Sequence, residues 1–517
     1  RFGRGNVMKI CIVGGGTAGW LTALFIAKVK PWVTVTVIES VNIPIIGAGE
    51  GSTGALVDVV TNRIWNFGCN EDEFLRETGA TLKYGIMHKA WTPDLDKSYF
   101  GPLGGTQTSS AFIDYSLAYG LVNFPEKLHL ATELGLLLEN NLSNFDKTTF
   151  SLKRSEAMGH ALHFDAHLVG KYFKKVTLKS KNANLIEADV VDVTLNETGN
   201  IKSLLLDNGN IVEADFFVDA TGFKRMLMSK LETKWVSYKK NLPVNSALPF
   251  IEKQESDEYI PEPYTSAWAQ KNGWMWTIPQ QRKRGCGYVF CDDFTTPEKA
   301  QEEIELALGR PIDPIRVLKF DTGRLENTWV KNCLAIGLCA AFAEPLEATS
   351  IHTTVAQLIV FVFEFLKTDI EDTLNPGSIK MYNHRINTLY DDLKDFLVMH
   401  YMGGRTDSEF WRYISEGNTQ TEKVKLLLET SKTRIPSKGD IPDYLGAAGW
   451  GLWSYVMAGI DKLDSKLAKK ELESVMYNTD TSLTEAGKIY IDELHRKFYS
   501  DSKNYLPYSA FVRYIRK

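Results

Sequence analysis

The fold is decided by residues 9–19, which read Lys9-Ile10-Cys11-Ile12-Val13-Gly14-Gly15-Gly16-Thr17-Ala18-Gly19. The apolar run before the glycines predicts a buried strand, and the apolar residues 20–27 predict a helix. Between them, the Gly-x-Gly-x-x-Gly spacing supplies a tight turn and lets the backbone approach a pyrophosphate at the helix N-terminus. The stretch therefore predicts a dinucleotide-binding unit with loop contacts at Gly14, Gly16, Thr17, Ala18 and Gly19.

A second strand follows this unit. Residues 33–38 predict it, and it ends at Glu39, about 20 residues beyond the glycine loop, where a carboxylate can bind the hydroxyls of an adenosine ribose. Glu50 is assigned to the same cofactor. A glycine turn without a ligand is the alternative, but the strand, the helix and the acidic residue all fit the ligand-binding context.

Two later segments repeat the pattern of a buried strand followed by small residues. Residues 214–223 form one such run and residues 332–338 form the other. Ligands of open α/β sheets bind at the carboxyl ends of the strands. We therefore expect three strand ends to converge on the cofactor, with contacts from Asp219, Gly222, Gly337 and Leu338.

These segments predict an α/β fold. The main part is a Rossmann-like FAD-binding module of the flavin monooxygenase type, with an additional β-sheet and a mostly helical C-terminal region. Residues 186–195 and 201–206 predict a hairpin around the Gly199-Asn200 turn, and residues 350–367 predict a buried helix. The expected organisation is an added segment at 1–8, the cofactor module at 9–366 and a helical, substrate-side region at 367–517.

The composition of the 517-residue chain is that of a globular protein. A net charge of -5 gives no reason to expect nucleic acid or an anionic membrane as a partner. The six cysteines contain no CxxC pair, which favours reduced thiols in the cytoplasm over a zinc site or a disulfide framework. We expect no signal peptide and no membrane-spanning run. Association into a homo-oligomer is expected from the size of the chain.

A second informative stretch is Gly273-Trp274-Met275-Trp276-Thr277-Ile278-Pro279. On an extended segment, Trp274 and Trp276 point to the same side and present adjacent rigid indoles. Such a barrier beside a flavin keeps a substrate away from the ring, so a small oxidant must carry the reaction instead. Ordinary core aromatics are the alternative interpretation of this pair.

These motifs together resemble the flavin-dependent halogenases of the tryptophan-halogenase type. The resemblance extends from the glycine loop to about residue 366 and includes the Trp-x-Trp-x-Ile-Pro motif and a His163-Phe164-Asp165-Ala166 block. It implies that Lys83 is the catalytic lysine and Glu347 the catalytic glutamate. The abundance of lysine and asparagine is typical of an AT-rich genome, so a phage-like member of the family is expected.

The resemblance also implies the chemistry. FAD, used as FADH2, together with O2 and a halide ion (chloride, bromide or iodide) would give hypohalous acid, which passes through a tunnel to Lys83. A desolvated lysine can hydrogen-bond this oxidant or form a haloamine. Glu347 would accept the ring proton or stabilise the developing cation. Thr349 and Ser350, at a helix start, would bind the halide through backbone N–H groups.

Each of these residues has a plainer interpretation. Lys83 has the residue type of a solvated surface charge, and Glu347 that of a helix-capping acid. His160, His163 and His167 share helical spacing, but no carboxylate or cysteine completes a ligand set, so no metal site is predicted.

The chain departs from the family in two places. Where the family has Ser-Thr-Gly, this chain has Ala348-Thr349-Ser350, so a preference for bromide or iodide over chloride is the hypothesis. The aromatic and acidic clamp of the tryptophan-specific members is also missing, which predicts a looser site for indoles, phenols or other electron-rich aromatics. The residues expected to stack on such a ring are Tyr99, Phe100, Trp450 and Trp453.

Two other functions stay open at this point. An FAD-dependent aromatic hydroxylase shares the fold and the oxygen chemistry, but it needs neither Lys83 nor the tryptophan barrier. A flavin-binding scaffold or sensor without turnover would make Lys83 and Glu347 dispensable. Because no second dinucleotide motif is found, we expect a separate NAD(P)H-dependent flavin reductase to supply the reduced flavin.

Overall fold

The computed structural model describes residues 7–42, 50–103, 115–154, 159–442, 445, 448–475 and 479–517. The chain divides into two compact units, each assembled from three segments. Unit 1 contains Arg1–Ala80, Phe164–Tyr238 and Asp321–Asp391, and unit 2 contains Thr81–His163, Lys239–Phe320 and Asp392–Lys517.

The described strands are β1 (Lys9–Val13), β2 (Thr34–Glu39), β3 (Glu50–Gly51), β4 (Thr81–Lys83), β5 (Gly85–Lys89), β6 (Ser98–Pro102), β7 (Leu142–Asp146), β8 (Ser151–Leu152), β9 (Ala161–Phe164), β10 (Ala183–Glu187), β11 (Val190–Leu195), β12 (Ile201–Leu206), β13 (Ile211–Glu213), β14 (Phe216–Asp219), β15 (Trp235–Ser237), β16 (Ser246–Lys253), β17 (Tyr264–Ala269), β18 (Gly273–Pro279), β19 (Lys283–Phe290), β20 (Leu318–Lys319), β21 (Gly323–Leu325), β22 (Trp329–Val330), β23 (Cys333–Ala335), β24 (Ala341–Phe342) and β25 (Tyr505–Pro507).

The described helices are α1 (Thr17–Val29), α2 (Gly54–Val60), α3 (Glu71–Glu77), α4 (Tyr115–Asn123), α5 (Glu133–Glu139), α6 (Ala166–Thr177), α7 (Pro297–Leu308), α8 (Thr349–Leu358), α9 (Ile370–Thr373), α10 (Pro376–His400), α11 (Glu409–Ser415), α12 (Glu422–Thr430), α13 (Trp450–Gly459), α14 (Ser465–Ser474), α15 (Leu483–Asp501) and α16 (Tyr508–Ile515).

Unit 1 is built on a six-stranded sheet with the order β10-β2-β1-β14-β23-β22. Its first five strands are parallel, and β22 runs antiparallel at the edge. The strands β1, β2, β14 and β23 lie where the sequence predicted them. Because β1 and β14 are apolar on both faces and buried, they suit the centre of a sheet covered on both sides. The predicted Rossmann-like α/β fold is confirmed.

One predicted strand boundary is wrong. Residues 186 and 187 were expected to begin the first strand of a hairpin, but they end β10, which pairs with β2 in the parallel sheet. The hairpin begins later, with β11 and β12 paired antiparallel across the Gly199 turn. The alternating pattern does continue through both strands, but Ala188 and Asp189 separate them because the chain leaves one sheet for another.

Helices α1 and α6 pack against each other in unit 1, and Trp20, Leu21 and Phe25 on α1 are fully buried. The predicted helix after residue 350 is present as α8, followed by a wider π-helical turn over Ile359–Phe365. The run Leu346–Phe365 is long and apolar enough to cross a membrane by length and composition, but 78% of its most apolar window is buried inside the protein. It is therefore a core helix.

Unit 2 contains the additional β-sheet, which has seven strands in the order β20-β16-β19-β18-β17-β5-β6. The tryptophan stretch forms β18, near the middle of this sheet. Met275 of β18 belongs to a buried cluster with Tyr288 and with Ala300 and Ile304 of α7. Since side chains alternate along a strand, Trp274 and Trp276 occupy the opposite face.

The predicted boundary at residue 366 does not coincide with the division of the structure. The last segment of unit 1 runs on to Asp391, inside α10, and each unit collects segments from distant parts of the sequence. Residues 367–517 are nevertheless mostly helical, as expected. In the expected added segment 1–8, residues 1–6 lie outside the described residues. Met8 is buried, and its carbonyl accepts a hydrogen bond from the Thr34 N–H, so it belongs to the fold.

Candidate active site

Three parallel strand ends of unit 1 lie side by side. Val13 pairs with Asp219, and Asp219 pairs with Ala335, so β1, β14 and β23 end in register. The glycine loop follows β1 directly. Gly14 has a φ of 118°, and a Cβ there would lie 2.3 Å from the carbonyl oxygen of Ala220. Only glycine fits this crossing of two strand ends.

The loop also fits a pyrophosphate. A Cβ at Gly19 would lie 1.9 Å from the carbonyl oxygen of Gly14, so this glycine lets α1 begin close to the strand. A Cβ at Gly16, the N-cap of α1, would meet no atom within 4 Å. The side of Gly16 on which a side chain would lie is therefore open, which leaves room for a phosphate near the N-terminus of α1. The Thr17 hydroxyl links the loop to the start of α6 by donating a hydrogen bond to the Ala166 carbonyl at 3.0 Å.

Gly337 brings a second strand end to the same loop. Its φ is 62°, and a Cβ there would lie 2.8 Å from the Cβ of Ala18. Leu338 follows in the same short helical turn and is half-buried. The predicted convergence of the glycine loop with the segment after β23 is confirmed as geometry, and contact of these residues with FAD stays a prediction.

Glu39 stands at the end of β2, as predicted, and already has partners within unit 1. Its carboxylate accepts a hydrogen bond from Lys174 Nζ at 2.6 Å and one from Trp20 Nε1 at 3.4 Å. It also lies against the Cα of Gly15, where a Cβ would come within 2.5 Å of its Oε1. A ribose would share this carboxylate with Lys174.

Glu50 lies on β3, directly after residues outside the described part of the chain. Burial raises the pKa of its carboxyl to about 7, and the nearby Asp165 carboxylate contributes to the rise. A carboxyl that holds its proton near neutral pH can donate a hydrogen bond as well as accept one. Such a group suits a polar ligand with both donors and acceptors.

Asp219 holds the loop after β14 through its own hydrogen bonds, and its contact with FAD stays a prediction. Its Oδ1 accepts hydrogen bonds from the Thr221 N–H at 3.0 Å and hydroxyl at 2.6 Å, and its Oδ2 accepts from the N–H groups of Leu227 at 2.8 Å and Met228 at 2.9 Å. The buried carboxylate thus shapes the loop after β14. Gly222, with a φ of 63°, lies inside that loop.

Glu347 and Ala348 hold an unusual backbone conformation just before α8. Their φ angles are 69° and 51°, in the left-handed region that non-glycine residues rarely adopt. Two consecutive residues of this kind store backbone strain, which is typical of functional loops. The Glu347 side chain is buried.

Thr349 begins α8 and is buried, whereas Ser350 is exposed. The N-cap residue makes no side-chain capping bond, so its side chain leaves the start of this ten-residue helix uncovered. The positions of both residues agree with the predicted halide loop, and halide binding stays a prediction.

Lys83 is the last residue of β4, and its side chain is fully buried in unit 2. The interpretation as a solvated surface charge is therefore wrong. Strand β4 pairs antiparallel with β9, with Lys83 opposite Ala161 and Thr81 opposite His163. Buried lysines are rare in proteins and are often functional.

The two tryptophans of β18 are buried and adjacent, with ring centroids 6.4 Å apart at an angle of 61°. Trp91 packs behind Trp274 at 6.3 Å and donates a hydrogen bond to the Ala267 carbonyl at 2.9 Å. Gly287, opposite Trp276 on β19, gives the second indole its space. Gly287 was not among the predicted site residues, although a glycine within a strand often marks such a close approach.

The four residues expected to stack on a substrate ring are packed among other side chains of unit 2. Tyr99 is stacked on His88, with centroids 4.5 Å apart, and Gly459 of α13 lies against the tyrosine ring. Phe100 meets His129 edge-on at 5.7 Å. Trp453 packs on Phe396 at 5.3 Å, and Trp450 is 6% exposed. In this conformation all four are packing residues, and their contact with a substrate stays a prediction.

The helical spacing assigned to three histidines is wrong. His163 lies on strand β9, because residues 161–164 are extended, and His160 precedes that strand. Asp165 then caps α6, its carboxylate accepting a hydrogen bond from the N–H of the exposed His167. His160 is hydrogen-bonded to Asn144 at 2.9 Å. The three histidines therefore lie on different elements and do not share one helix face.

Comparison with known proteins gives one family. Residues 9–460 match the family model described as tryptophan halogenase. The chain is 29% identical over 466 residues to the tryptophan 7-halogenase RebH of Lentzea aerocolonigenes, and the match covers 86% of each chain. It is 28% identical over 461 residues to the tryptophan 6-halogenase ThaL of Streptomyces albogriseolus, covering 85% of this chain and 84% of the relative.

A solved structure agrees. The tryptophan C-6 flavin-dependent halogenase (chlorinase) Tar14 of taromycin biosynthesis superposes with a TM-score of 0.86 at 26% identity. The superposition covers 99% of this chain and 100% of Tar14.

Proposed function

Because the chain belongs to the tryptophan halogenase family of flavin-dependent halogenases, we propose that it forms hypohalous acid and uses Lys83 to direct the halogen onto an electron-rich aromatic ring. The family predicted from the motifs is confirmed, and with it FAD and a halide as its cofactor and ion. The observation that carries the role of Lys83 is the complete burial of its side chain.

FAD in its reduced form supplies two electrons, so that FADH2, O2, a halide ion and a proton give FAD, water and hypohalous acid. The residues that would hold FAD are those of the glycine loop, Glu39 and the loops ordered by Asp219 and Gly337. The open space at Gly16 and the close approach of Gly337 to Ala18 fit this role. The N–H groups of Thr349 and Ser350 would hold the halide at the start of α8.

Trp274 and Trp276 would keep the aromatic substrate away from the oxidant-forming site. The two indoles lie against each other, with ring centroids 6.4 Å apart, and such rigid aromatic side chains would form the barrier. Hypohalous acid is small enough to pass where an arene is excluded. This separation favours halogenation over direct hydroxylation, which needs contact between the ring and the flavin.

Lys83 would hydrogen-bond hypohalous acid, or form a haloamine with loss of water, and so present an electrophilic halogen to one carbon. The new bond joins that carbon to the halogen, and the ring proton leaves to Glu347, so the net change converts ArH and HOX into ArX and H2O. The carboxylate would also stabilise the cationic ring before the proton leaves.

The substrate proposed is an indole, a phenol or a related electron-rich arene, not free tryptophan. The aromatic and acidic clamp expected for the amino acid is absent from the sequence near Tyr99 and Trp450. Bromide or iodide is proposed over chloride because the loop reads Ala348-Thr349-Ser350. A phage-like origin remains part of this hypothesis.

A separate NAD(P)H-dependent flavin reductase is proposed as the partner, acting in the cytoplasm, and a homo-oligomer as the working form. Membership of this family supports a flavin reductase as the source of reduced flavin. Purified protein given FAD and NADH alone should consume NADH only after a reductase is added. Efficient consumption without the reductase would contradict the partnership.

The function is tested by incubating the protein with FAD, a reductase, NADH and an equimolar mixture of halides, using indole, a phenol and free tryptophan as substrates. Mass spectrometry separates replacement of hydrogen by halogen from addition of oxygen. We expect brominated or iodinated indole or phenol to dominate. Hydroxylated products would support the hydroxylase alternative, a clear chloride preference would overturn the halide proposal, and strong selectivity for tryptophan would overturn the substrate proposal.

A further inference from the structure

His163 shares one face of a strand pair with Lys83. In the ladder between β4 and β9, Thr81 is opposite His163 and Lys83 is opposite Ala161. Side chains at i and i+2 of a strand point the same way, so Thr81, Lys83 and His163 project to the same side. All three are fully buried. The proposed reaction assigns no role to His163.

The hydrogen bonds around His163 fix its protonation. The Thr81 hydroxyl donates to the Pro279 carbonyl at 2.8 Å, so at its second contact, 3.4 Å from Nδ1, this oxygen accepts. Nδ1 therefore carries the proton, and Nε2 accepts from the Thr265 hydroxyl at 2.9 Å. Burial holds the pKa of His163 well below its ordinary value, and the charge of Lys83 lowers it further. The ring is neutral.

This neutral ring connects four strands of unit 2. It lies on β9 and reaches β4 through Thr81 and β17 through Thr265, and Thr81 continues the connection to Pro279, the last residue of the tryptophan strand β18. Next to Lys83, the Tyr84 N–H donates to the Pro263 carbonyl at 2.7 Å, which adds a backbone bond between the same regions. The lysine strand is thus held at a set distance from the tryptophan strand.

We propose that His163 is a positioning residue for the halogenation step, which holds Lys83 in place relative to the tryptophan strand through the Thr81 and Thr265 hydroxyls. The inference rests on the proposed function of Lys83 and extends it. The network sets how much of the hypohalous acid is used on the substrate and how much escapes into water.

The size of the effect follows from geometry. A displacement of about 1 Å between reacting groups can reduce a rate about 10²-fold. Release of Thr265 from His163 would loosen only one of the connections that hold the ring. We therefore expect a smaller loss, about tenfold, in the fraction of oxidant that reaches the arene.

The experiment uses the holoenzyme with a reductase, NADH, bromide and indole, together with a cyclic 1,3-diketone in solution that captures escaped hypobromous acid. The measured quantity is bromoindole divided by the sum of bromoindole and brominated trap. Thr265→Val removes the hydroxyl at nearly constant size, and Thr265→Ser restores it. Thr132→Val is the matched control, because Thr132 is also buried and hydrogen-bonded in unit 2 but caps α5 instead.

We expect Thr265→Val to lower the bromoindole fraction about tenfold while total bromination stays the same, and we expect Thr265→Ser and Thr132→Val to match the unsubstituted enzyme. An unchanged fraction in Thr265→Val overturns the inference, and so does a loss that Thr265→Ser fails to restore, since packing alone would explain it. Lys83→Ala separates the two hypotheses. If that variant still brominates indole normally, the proposed function fails; if it is inactive while Thr265→Val is normal, only the role of His163 fails.

Discussion

Gly287 lies directly opposite Trp276 in the ladder between β18 and β19, and a Cβ at Gly287 would come within 2.1 Å of the indole. The ring therefore lies across the neighbouring strand, over a position where any side chain would displace it. Trp274 has a different support, since Trp91 packs behind it. The two tryptophans thus depend on different neighbours.

Gly287→Ala should move the Trp276 indole and impair halogenation. Overpacking of this kind costs about 1–3 kcal/mol of the free energy of unfolding. The measurements are the thermal midpoint and the ratio of halogenated product to total oxidant formed. Gly159→Ala is the matched control, because a Cβ there meets no atom within 4 Å. Equal ratios in the two variants would show that the position of Trp276 does not matter.

Asp219→Asn should weaken FAD binding by about tenfold or more, because loss of a charged acceptor leaves buried N–H groups without a proper partner. The asparagine NH2 would face donors from Thr221 or from Leu227 and Met228. FAD affinity is measured by the quenching of flavin fluorescence. The control is Asp215→Asn, whose exposed carboxylate accepts a hydrogen bond from the Lys9 N–H at 2.7 Å. Similar FAD affinity in both variants would contradict the loop-ordering role.

Glu50 gives a pH dependence with a definite sign. Its pKa is raised from 4.5 to about 7, so the folded protein prefers the protonated form and loses stability as the pH rises between these values. Glu50→Gln removes this loss. Both proteins are measured without FAD. The thermal midpoint of the variant minus that of the parent should become larger as the pH is raised from about 5 to about 8. A difference in thermal midpoint that stays constant between about pH 5 and about pH 8 would contradict the assignment.

Glu347→Gln should reduce halogenation about 10²-fold, the usual contribution of a positioned general base. The amide keeps the size of the side chain and the strained backbone, so FAD binding and hypohalous acid formation should persist. Glu364→Gln is the control, since that exposed carboxylate pairs with Arg385. Parallel loss of FAD binding and halogenation in Glu347→Gln would indicate a structural role instead.

The cofactor side of the fold was largely predictable from local sequence. The glycine loop, β1, β14 and β23 each occupy one continuous stretch, and glycines mark the ends of β1 and β23 at positions where a Cβ would clash. The division into units was not predictable in this way, because each unit joins three distant segments and α10 contains a boundary. Local patterns carry no information on such long-range assembly.

The sequence predicted which residues belong to the site, but it did not predict their burial or their hydrogen-bond partners. The resemblance identified Lys83, yet its burial on β4 depends on neighbours that lie far away in the sequence. The four donors that bond the Asp219 carboxylate come from its own loop, and no local pattern predicted these hydrogen bonds. The network of His163 and Thr265 spans 102 residues of sequence and left no local signal.

The central claim is that formation of the oxidant and its use depend on different residues, with Lys83 required only for the second. The most direct measurement compares Lys83→Ala with the parent enzyme in the presence of FAD, a reductase, NADH, bromide, indole and the diketone trap. We expect the variant to bind FAD and to brominate the trap at the rate at which the parent forms bromoindole and brominated trap together, while forming no bromoindole. Bromoindole at the parent level would contradict the claim, as would loss of trap bromination with FAD still bound.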